Sequence, residues 1–408
     1  MSQRKIYYFD NNATTRIAPE VLEAMLPFLR DCWGNPSSAY GFGKEVGKHL
    51  AEARAKVAAL INAEAEEVVF TSCGTESNNS AIESALATQP AKRHVLTTAV
   101  EHSAIVKHGE VLQKRGCQVT FLPVDADGAI DLHLLDKSIR PETAIVSVMW
   151  ANNETGVVFP IEEIAAICRS KNVLFHTDAT QVPGKMKIDA SALGVDFLTL
   201  SAHKLHAPKG VGLLYIRRKL KYQPYLIGGH QEQGKRGGTE NVASIIAFGR
   251  AAELAVAHLE DENTRVRALR DRLENTILSS IPNTIRTGAK EPRLPNTSNI
   301  AFVGVESESI LHQLDLLGIC VSSGSACTTG SLNPSHVLTA MGMKPMRSRG
   351  CVRFSLGIYN TDEEIDYLLK HLPRVIAKLR EDSPLKPEAD RAKTSKMPAI
   401  KLPTVGHV

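Results

Sequence analysis

Short apolar runs alternate with amphipathic stretches over most of this chain. Residues 6–10, 67–71, 94–98, 118–124, 144–150, 173–178, 197–200 and 211–216 read as strands. Several of these are apolar almost throughout, as strands covered on both faces are. Between them lie helical patterns. Pro19 opens a helix with Val21, Leu22, Met25, Leu26 and Leu29 on one face, and proline suits a first turn. An Ala-rich helix follows at about residues 44–61. Further helices start after Gly74, near His102 and at Pro160. This alternation predicts an α/β fold with a mostly parallel sheet and helices on both faces, its ligands bound beyond the carboxyl ends of the strands.

A long helix is expected over about 240–280, kinked or broken near Gly249. The pattern changes after Ile281. Short strands at 298–303 and 351–356 alternate with helices at 307–317 and 361–380, the last opened by a capping box from Thr361 to Glu364. These predict a smaller α+β domain, completed by the N-terminal strand. The expected division is a large domain at 16–259 and a small one at 1–15 plus 260–382. From 383 to 408 a Pro- and Lys-rich tail without periodicity is expected to be disordered.

Composition narrows the options. The 408 residues carry a net charge of +4, which calls for neither nucleic acid nor an anionic membrane. No apolar run is long enough to span a bilayer, and the first residues lack the apolar core of a signal peptide, so the cytoplasm is the expected location. Cys32, Cys73, Cys117, Cys168, Cys320, Cys327 and Cys351 form no CxxC pair. Neither a disulfide framework nor a structural zinc site is indicated. Most of them, Cys320 included, are expected in the core, with room for one reactive thiol.

Thr75, His102, Asn153, Asp178, Gln181 and Lys204 all fall just past predicted strand ends. Lys204, in Ser201-Ala202-His203-Lys204, is either a loop lysine or a Schiff-base lysine, since partial desolvation would free its amine. Lys209 is its rival and looks more like a turn residue. Gly74 and Thr75 sit where a new helix leaves N–H groups unpaired, which is either an anion site or a plain N-cap. The glycine-rich stretch 228–239, with Arg236 and Thr239 before a helix, is either another anion contact or a surface loop. An aldimine lysine (Lys204), a carboxylate for a pyridinium nitrogen (Asp178), a phosphate cradle (Gly74, Thr75, Ser201, His203) and a stacking face (His102) together match what pyridoxal 5′-phosphate (PLP) requires. Cys327 lies in a Ser/Gly-rich loop, either as an incidental surface cysteine or as a thiolate that attacks substrate sulfur. Arg353 interrupts an apolar strand, as a structural ion pair or as a bidentate grip on an α-carboxylate.

The chain resembles cysteine desulfurases of the NifS/IscS kind, and within them the NifS branch. The carrying motifs lie at residues 10–15, 71–77, 101–102, 149–156, 176–181, 201–212, 322–327 and 353–357, in family order. The resemblance implies a fold-type I PLP enzyme with a mostly parallel seven-stranded sheet, acting on L-cysteine as a homodimer. It implies that Lys204 joins the cofactor, that Asp178 holds the pyridinium, and that His102 stacks on the ring and moves protons. Asn153 and Gln181 are expected at the ring substituents. Gly74, Thr75, Ser201, Ala202 and His203 are expected around the phosphate, with Thr239 reaching in from the partner subunit. Arg353 and Asn153 would bind the substrate carboxylate. Cys327 would carry a persulfide, make transient contact with an iron–sulfur cluster, and pass sulfur to a scaffold protein, with nitrogenase as the implied client. Ala202 stands where glycine or another small residue is usual between the serine and histidine, and is the one departure noted. A selenocysteine lyase, or another PLP lyase or aminotransferase, is the alternative on the same fold.

Overall fold

The computed structural model describes residues 5–323 and 335–383. Its twelve strands are β1 (Tyr7–Tyr8), β2 (Val68–Thr71), β3 (His94–Thr98), β4 (Gln118–Leu122), β5 (Thr143–Ser147), β6 (Leu174–Asp178), β7 (Phe197–Ser201), β8 (Gly212–Ile216), β9 (Thr284–Arg286), β10 (Thr297–Phe302), β11 (Ile319–Cys320) and β12 (Cys351–Ser355). Seven form the main sheet in the order β2-β8-β7-β6-β5-β3-β4. Only β8 runs against its neighbours β2 and β7. All residues of β2, β3, β5, β7 and β8 are buried, which is why these strands are largely apolar with no strict alternation of apolar and polar positions.

Helices cover both faces. One core joins the sheet to helices Pro19–Arg30, Gly41–Leu60 and Val242–Ala257, with Val21, Val57 and Phe248 fully buried. The other packs Ile82, Ala85 and Ile105, from helices Gly74–Thr88 and Ser103–Lys114, against Val69, Ile145 and Leu214. A separate third core gathers Phe9, Leu273, Phe302, Phe354 and Leu368 around the antiparallel sheet β12-β10-β9. There β1 pairs in parallel with β11, so the N-terminal strand packs with elements more than three hundred residues away in sequence.

The structure corrects three expectations. The helix that begins at Val242 runs intact through Gly249 to Ala257, and the chain bends by 53° before resuming at Leu259. Gly249 is a contact point, because a Cβ there would stand 2.8 Å from the Ala53 backbone. Thr361 does accept from the Glu364 N–H, but the Glu364 carboxylate turns to Asn360, so only half of the capping box forms. Among the described cysteines only Cys168 and Cys351 are buried, and Cys320 is partly exposed. No single helix among the described residues is long and apolar enough to cross a membrane.

Candidate active site

Residues that follow the carboxyl ends of β2, β3, β5, β6 and β7 line a cavity of about 340 Å3, within the range of roughly 300–1,000 Å3 that small-molecule sites occupy. It brings together Gly74, Thr75, His102, Asn153, Asp178, Gln181, Ser201, His203, Lys204 and Arg353. Two of these groups come from outside the parallel sheet. Arg353 stands on β12, and the turn after β1 adds Asn12.

Lys204 ends a single 3-10 turn, Ala202–Lys204, that follows β7. Its Nζ donates to the carbonyls of Asn12 at 2.5 Å and Ala13 at 2.8 Å. Desolvation, with the cations Arg353 and Lys185 nearby, lowers its pKa to about 7. The amine therefore exists in substantial neutral form near pH 7, as a nucleophile must. His203 beside it is held neutral, its pKa pushed down to about 4 by burial and by the Lys204 charge. Its Nδ1 meets the Thr14 hydroxyl at 3.0 Å.

The start of helix Gly74–Thr88 has no side-chain cap, so the free N–H groups of its first turn form an anion site at the positive end of the helix dipole. Cys73, not Thr75, occupies the N-cap position. A Cβ on Gly74 would stand 3.2 Å from Thr180 Oγ1 and 3.5 Å from Ser201 Cβ. Glycine keeps that cradle open. Gly212 on β8 serves the same corner, since a Cβ there would press to 2.7 Å on the Cys73 backbone.

Asp178, the last residue of β6, is buried and braced. Asn78 Nδ2 donates to Oδ2 at 2.7 Å, and the Thr180 N–H donates to Oδ1 at 3.0 Å. His176, two residues earlier on the same face, spans β5 and β7 through Ser147 and Thr199. Burial pushes its pKa down to about 4, so it is a neutral strut. His102 caps helix Ser103–Lys114, its Nδ1 accepting from the Ala104 N–H at 3.2 Å. That bond places the ring proton of the neutral imidazole on Nε2. The preceding Glu101 is fully buried and takes hydrogen bonds from Thr98 Oγ1 and the Met149 N–H. Desolvation raises its pKa to about 8.

Arg353 is 2 % exposed. It donates to Asp10 Oδ1 at 2.6 Å and to the Asn153 carbonyl at 2.9 Å, while its Nε has no partner. The structural ion pair is therefore present, and a donor remains. The Arg353 backbone also exchanges two hydrogen bonds with Ser322. On the far side of residues 324–334, Ser335 Oγ donates to Glu154 at 2.6 Å and His336 Nε2 bonds the Glu101 carbonyl at 2.8 Å. One flank of the stretch containing Cys327 is thus tied to Arg353 in the cavity wall, and the other to Glu154 and Glu101, which adjoin the lining residues Asn153 and His102. Cys327 itself lies outside the described residues.

Other expected residues sit elsewhere. The Ala202 methyl is buried in the sheet's core and does not line the cavity; its side chain therefore fits where glycine or another small residue is usual. Thr239 is exposed and away from this chain's cavity. Arg236 spends its charge on the Glu76 carboxylate at 2.9 Å rather than on a ligand. Lys209 is an exposed loop residue. Asn12, Asn78, Thr180 and Asp10 were not singled out from sequence. Asn78 was traceable, since it lies one helical turn beyond the Gly74 cradle, but Asn12 acts largely through its main-chain carbonyl, which leaves no signature in sequence.

These residues fit PLP. The cavity presents a low-pKa amine, a braced carboxylate and an uncapped helix start with a glycine-lined cradle. Asn78 Oδ1, Thr180 Oγ1 and Gln181 Oε1 are buried there without partners, and such atoms are costly unless a ligand completes them.

Known proteins agree with the geometry. The chain is 54 % identical over 379 residues to "Cysteine desulfurase 2" of Trichormus variabilis, covering 93 % of this chain and 95 % of that one. It is 52 % identical to "Cysteine desulfurase NifS" of Azotobacter vinelandii, covering 92 % and 94 %. A solved "NIFS-LIKE PROTEIN" superposes with a TM-score of 0.87 at 38 % identity, covering 92 % of this chain and all of that one. The seven-stranded sheet beside a smaller α+β unit is the fold-type I arrangement. Residues 7–368 match the model of the aminotransferase class-V family, and the chain belongs to that family.

Proposed function

We propose that this protein is a PLP-dependent cysteine desulfurase, converting L-cysteine to L-alanine and leaving the sulfur as a persulfide on Cys327. One observation carries the reading: a low-pKa lysine, a braced carboxylate and a buried guanidinium share a cavity, and the flanks of the Cys327 stretch are tied to that guanidinium's strand and to residues adjoining the cavity lining. Relatives that carry the desulfurase name span almost the whole chain.

PLP, when bound, supplies an electron sink for charge developing on the substrate. The protein's own residues do the rest. Neutral Lys204 would be the amine that holds the cofactor aldehyde and the base placed for the substrate Cα proton. Asp178, fixed by Asn78 and the Thr180 N–H, would hold the ring nitrogen in its protonated form. The uncapped N–H groups at Gly74 and Thr75, with Ser201 and His203, hold the phosphate. His102 would stack on the ring, and Asn153 and Gln181, which line the same cavity, would meet the ring substituents. Arg353, oriented by Asp10 and the Asn153 carbonyl, binds the α-carboxylate. Cys327 thiolate attacks the substrate sulfur. An S–S bond forms as the Cβ–S bond breaks, and the electron pair left at Cβ takes a proton to give alanine. At about 3.3–3.6 Å per extended residue, position 327 stands at most about 18 Å from Ser322, which is bonded to the Arg353 strand.

The large exposures of Trp33 (72 %) and Ile227 (83 %), with Tyr40, Phe42, Tyr225 and Leu226 also exposed, favour a homodimer in which Thr239 reaches the partner's phosphate site. We assign residues 16–259 to the large domain and 1–15 with 260–382 to the small one. The persulfide is passed to a scaffold protein for iron–sulfur assembly, with transient contact between Cys327 and the cluster and a nitrogenase-related client. The test is alanine and persulfide formation from L-cysteine by wild type and Cys327→Ala, with the visible spectrum recorded alongside. A coloured wild type that makes both products and a coloured variant that makes neither support the reading. Alanine from the variant would assign a lyase mechanism instead.

A further inference from the structure

Lys204 also lines a second, small cavity of about 30 Å3, above the roughly 10–15 Å3 that a single water needs. Its walls bring Lys185, Glu262, His206 and His258 together with Lys204. Lys185 and Glu262 are 5 % and 6 % exposed. Among the described residues neither makes a direct ion pair, and Glu262 Oε2 has no hydrogen-bond partner. Two opposite charges buried in one small cavity are costly unless they serve each other.

The place in the fold adds to the case. Glu262 begins the π-helical turn Glu262–Val266, after the bend at His258. This is where the chain leaves the sheet's helical layer for the third core, which Val266 enters. Such turns are frequent at functional sites. Asn263 on the same turn donates to the Lys185 carbonyl at 2.9 Å, so Lys185 is clasped by this turn through its backbone as well as by charge.

We propose that Lys185 and Glu262 are positioning residues for the chemistry at Lys204, a buried cation steadied by a carboxylate on the helical connection and acting on the Lys204 amine through its field. The charged and titratable groups around this array are few. Lys204 feels Arg353, Lys185, Asp10 and Asp178, with His203 adjacent. Lys185 feels Glu262, which also faces Asp261 and Arg265, and His206 faces Arg16, Lys185 and His258. Of the two cations near Lys204, Arg353 is already paired with Asp10 and is the one that meets the substrate carboxylate, whereas Lys185 makes no direct ion pair among the described residues and keeps disfavouring a proton on Lys204.

The inference rests on Lys204 being the lysine that joins the cofactor. The test is the pH midpoint of the visible absorbance of the PLP-loaded protein, for wild type, K185M, K185R, K185M/E262Q and K204A. Losing the cation favours the protonated form, so K185M raises the midpoint by about 0.5–1 unit, and K185R, which keeps the charge, leaves it in place. K185M/E262Q removes both charges, leaves none uncompensated, and shifts the midpoint in the same direction even if K185M alone does not fold. A pH-dependent band that is lost in K204A but has equal midpoints in wild type, K185M and K185M/E262Q overturns this inference alone. A band that persists in K204A overturns the assignment of Lys204 and this inference with it.

Discussion

Lys204 and Asn12 show how much of the site rests on single contacts. With the Lys204 pKa lowered to about 7 by burial and neighbouring cations, the amine is mostly protonated below that pH and mostly neutral above it. The rate at which the cofactor-free protein takes up PLP, followed by visible absorbance, should therefore climb through pH 7 and level off above about 8. An ordinary lysine would keep climbing toward pH 10. Asn12 accepts from Lys204 and Gln181 with its carbonyl, donates Nδ2 to Thr297 Oγ1 at 2.8 Å and accepts from Asn296 at 3.1 Å. Asn12→Ala keeps that carbonyl but removes the buried side-chain bonds to Thr297 and Asn296, and should cost about 1–3 kcal/mol, seen as a lower urea midpoint. The residues with reactive side chains were legible in the sequence because lysine, aspartate and arginine are conspicuous at strand ends. Asn12 was not, because what it offers Lys204 is a carbonyl that any residue has.

At the scale of elements, two glycines on one helix pair make opposite predictions. A Cβ at Gly249 would stand 2.8 Å from the Ala53 backbone and 2.9 Å from its Cβ. Gly249→Ala should force helices Gly41–Leu60 and Val242–Ala257 apart and cost roughly 1–3 kcal/mol. At Gly47 the nearest atom is the Pro36 carbonyl oxygen at 3.6 Å, an ordinary contact. Gly47→Ala should stabilise the helix by up to about 1 kcal/mol, because alanine orders more readily than glycine. Chemical denaturation of both variants reads the contrast, and equal effects would show that helix propensity rather than close approach governs the pair. The same glycine marks where sequence reading stopped short. Strands buried on both faces announce themselves as apolar runs, so the main sheet was legible. A helical glycine reads equally as a weak point or a close contact, and only the neighbouring helix decides. The real bend, after Ala257, carries neither proline nor glycine, and its cause is tertiary: the chain passes there from one core to another.

For the molecule as a whole, buried titratable groups oppose one another, and their balance sets how stability follows pH. Burial holds the pKa values of His94, His176, His203 and His206 near 4, against about 6.5 in an unfolded chain. Between those values the unfolded chain binds more protons, so each histidine makes stability rise with pH from about 4 to 6.5. Glu101 and Glu262 act the other way. Their pKa values of about 8 and about 7, against about 4.3 when unfolded, mean the folded state holds protons longer, and stability falls as pH climbs through that window. Four groups outweigh two between about pH 4.5 and 6.5, so the cofactor-free protein should gain stability there. Above about pH 7 the lysine joins in: with Lys204 near 7 against about 10.4 unfolded, the unfolded chain again binds the extra proton, which offsets Glu101 until about pH 8 and then prevails. Urea midpoints at pH 5, 6, 7, 8 and 9 should rise, flatten and rise again. Glu101→Gln keeps the Thr98 and Met149 bonds available while removing the titration, so its midpoint relative to wild type should improve steadily from pH 5 to 8. A wild-type midpoint that falls between pH 5 and 6.5 would mean that the four histidines are not held neutral, and the strut assigned to His176 between β5 and β7 would fall with them.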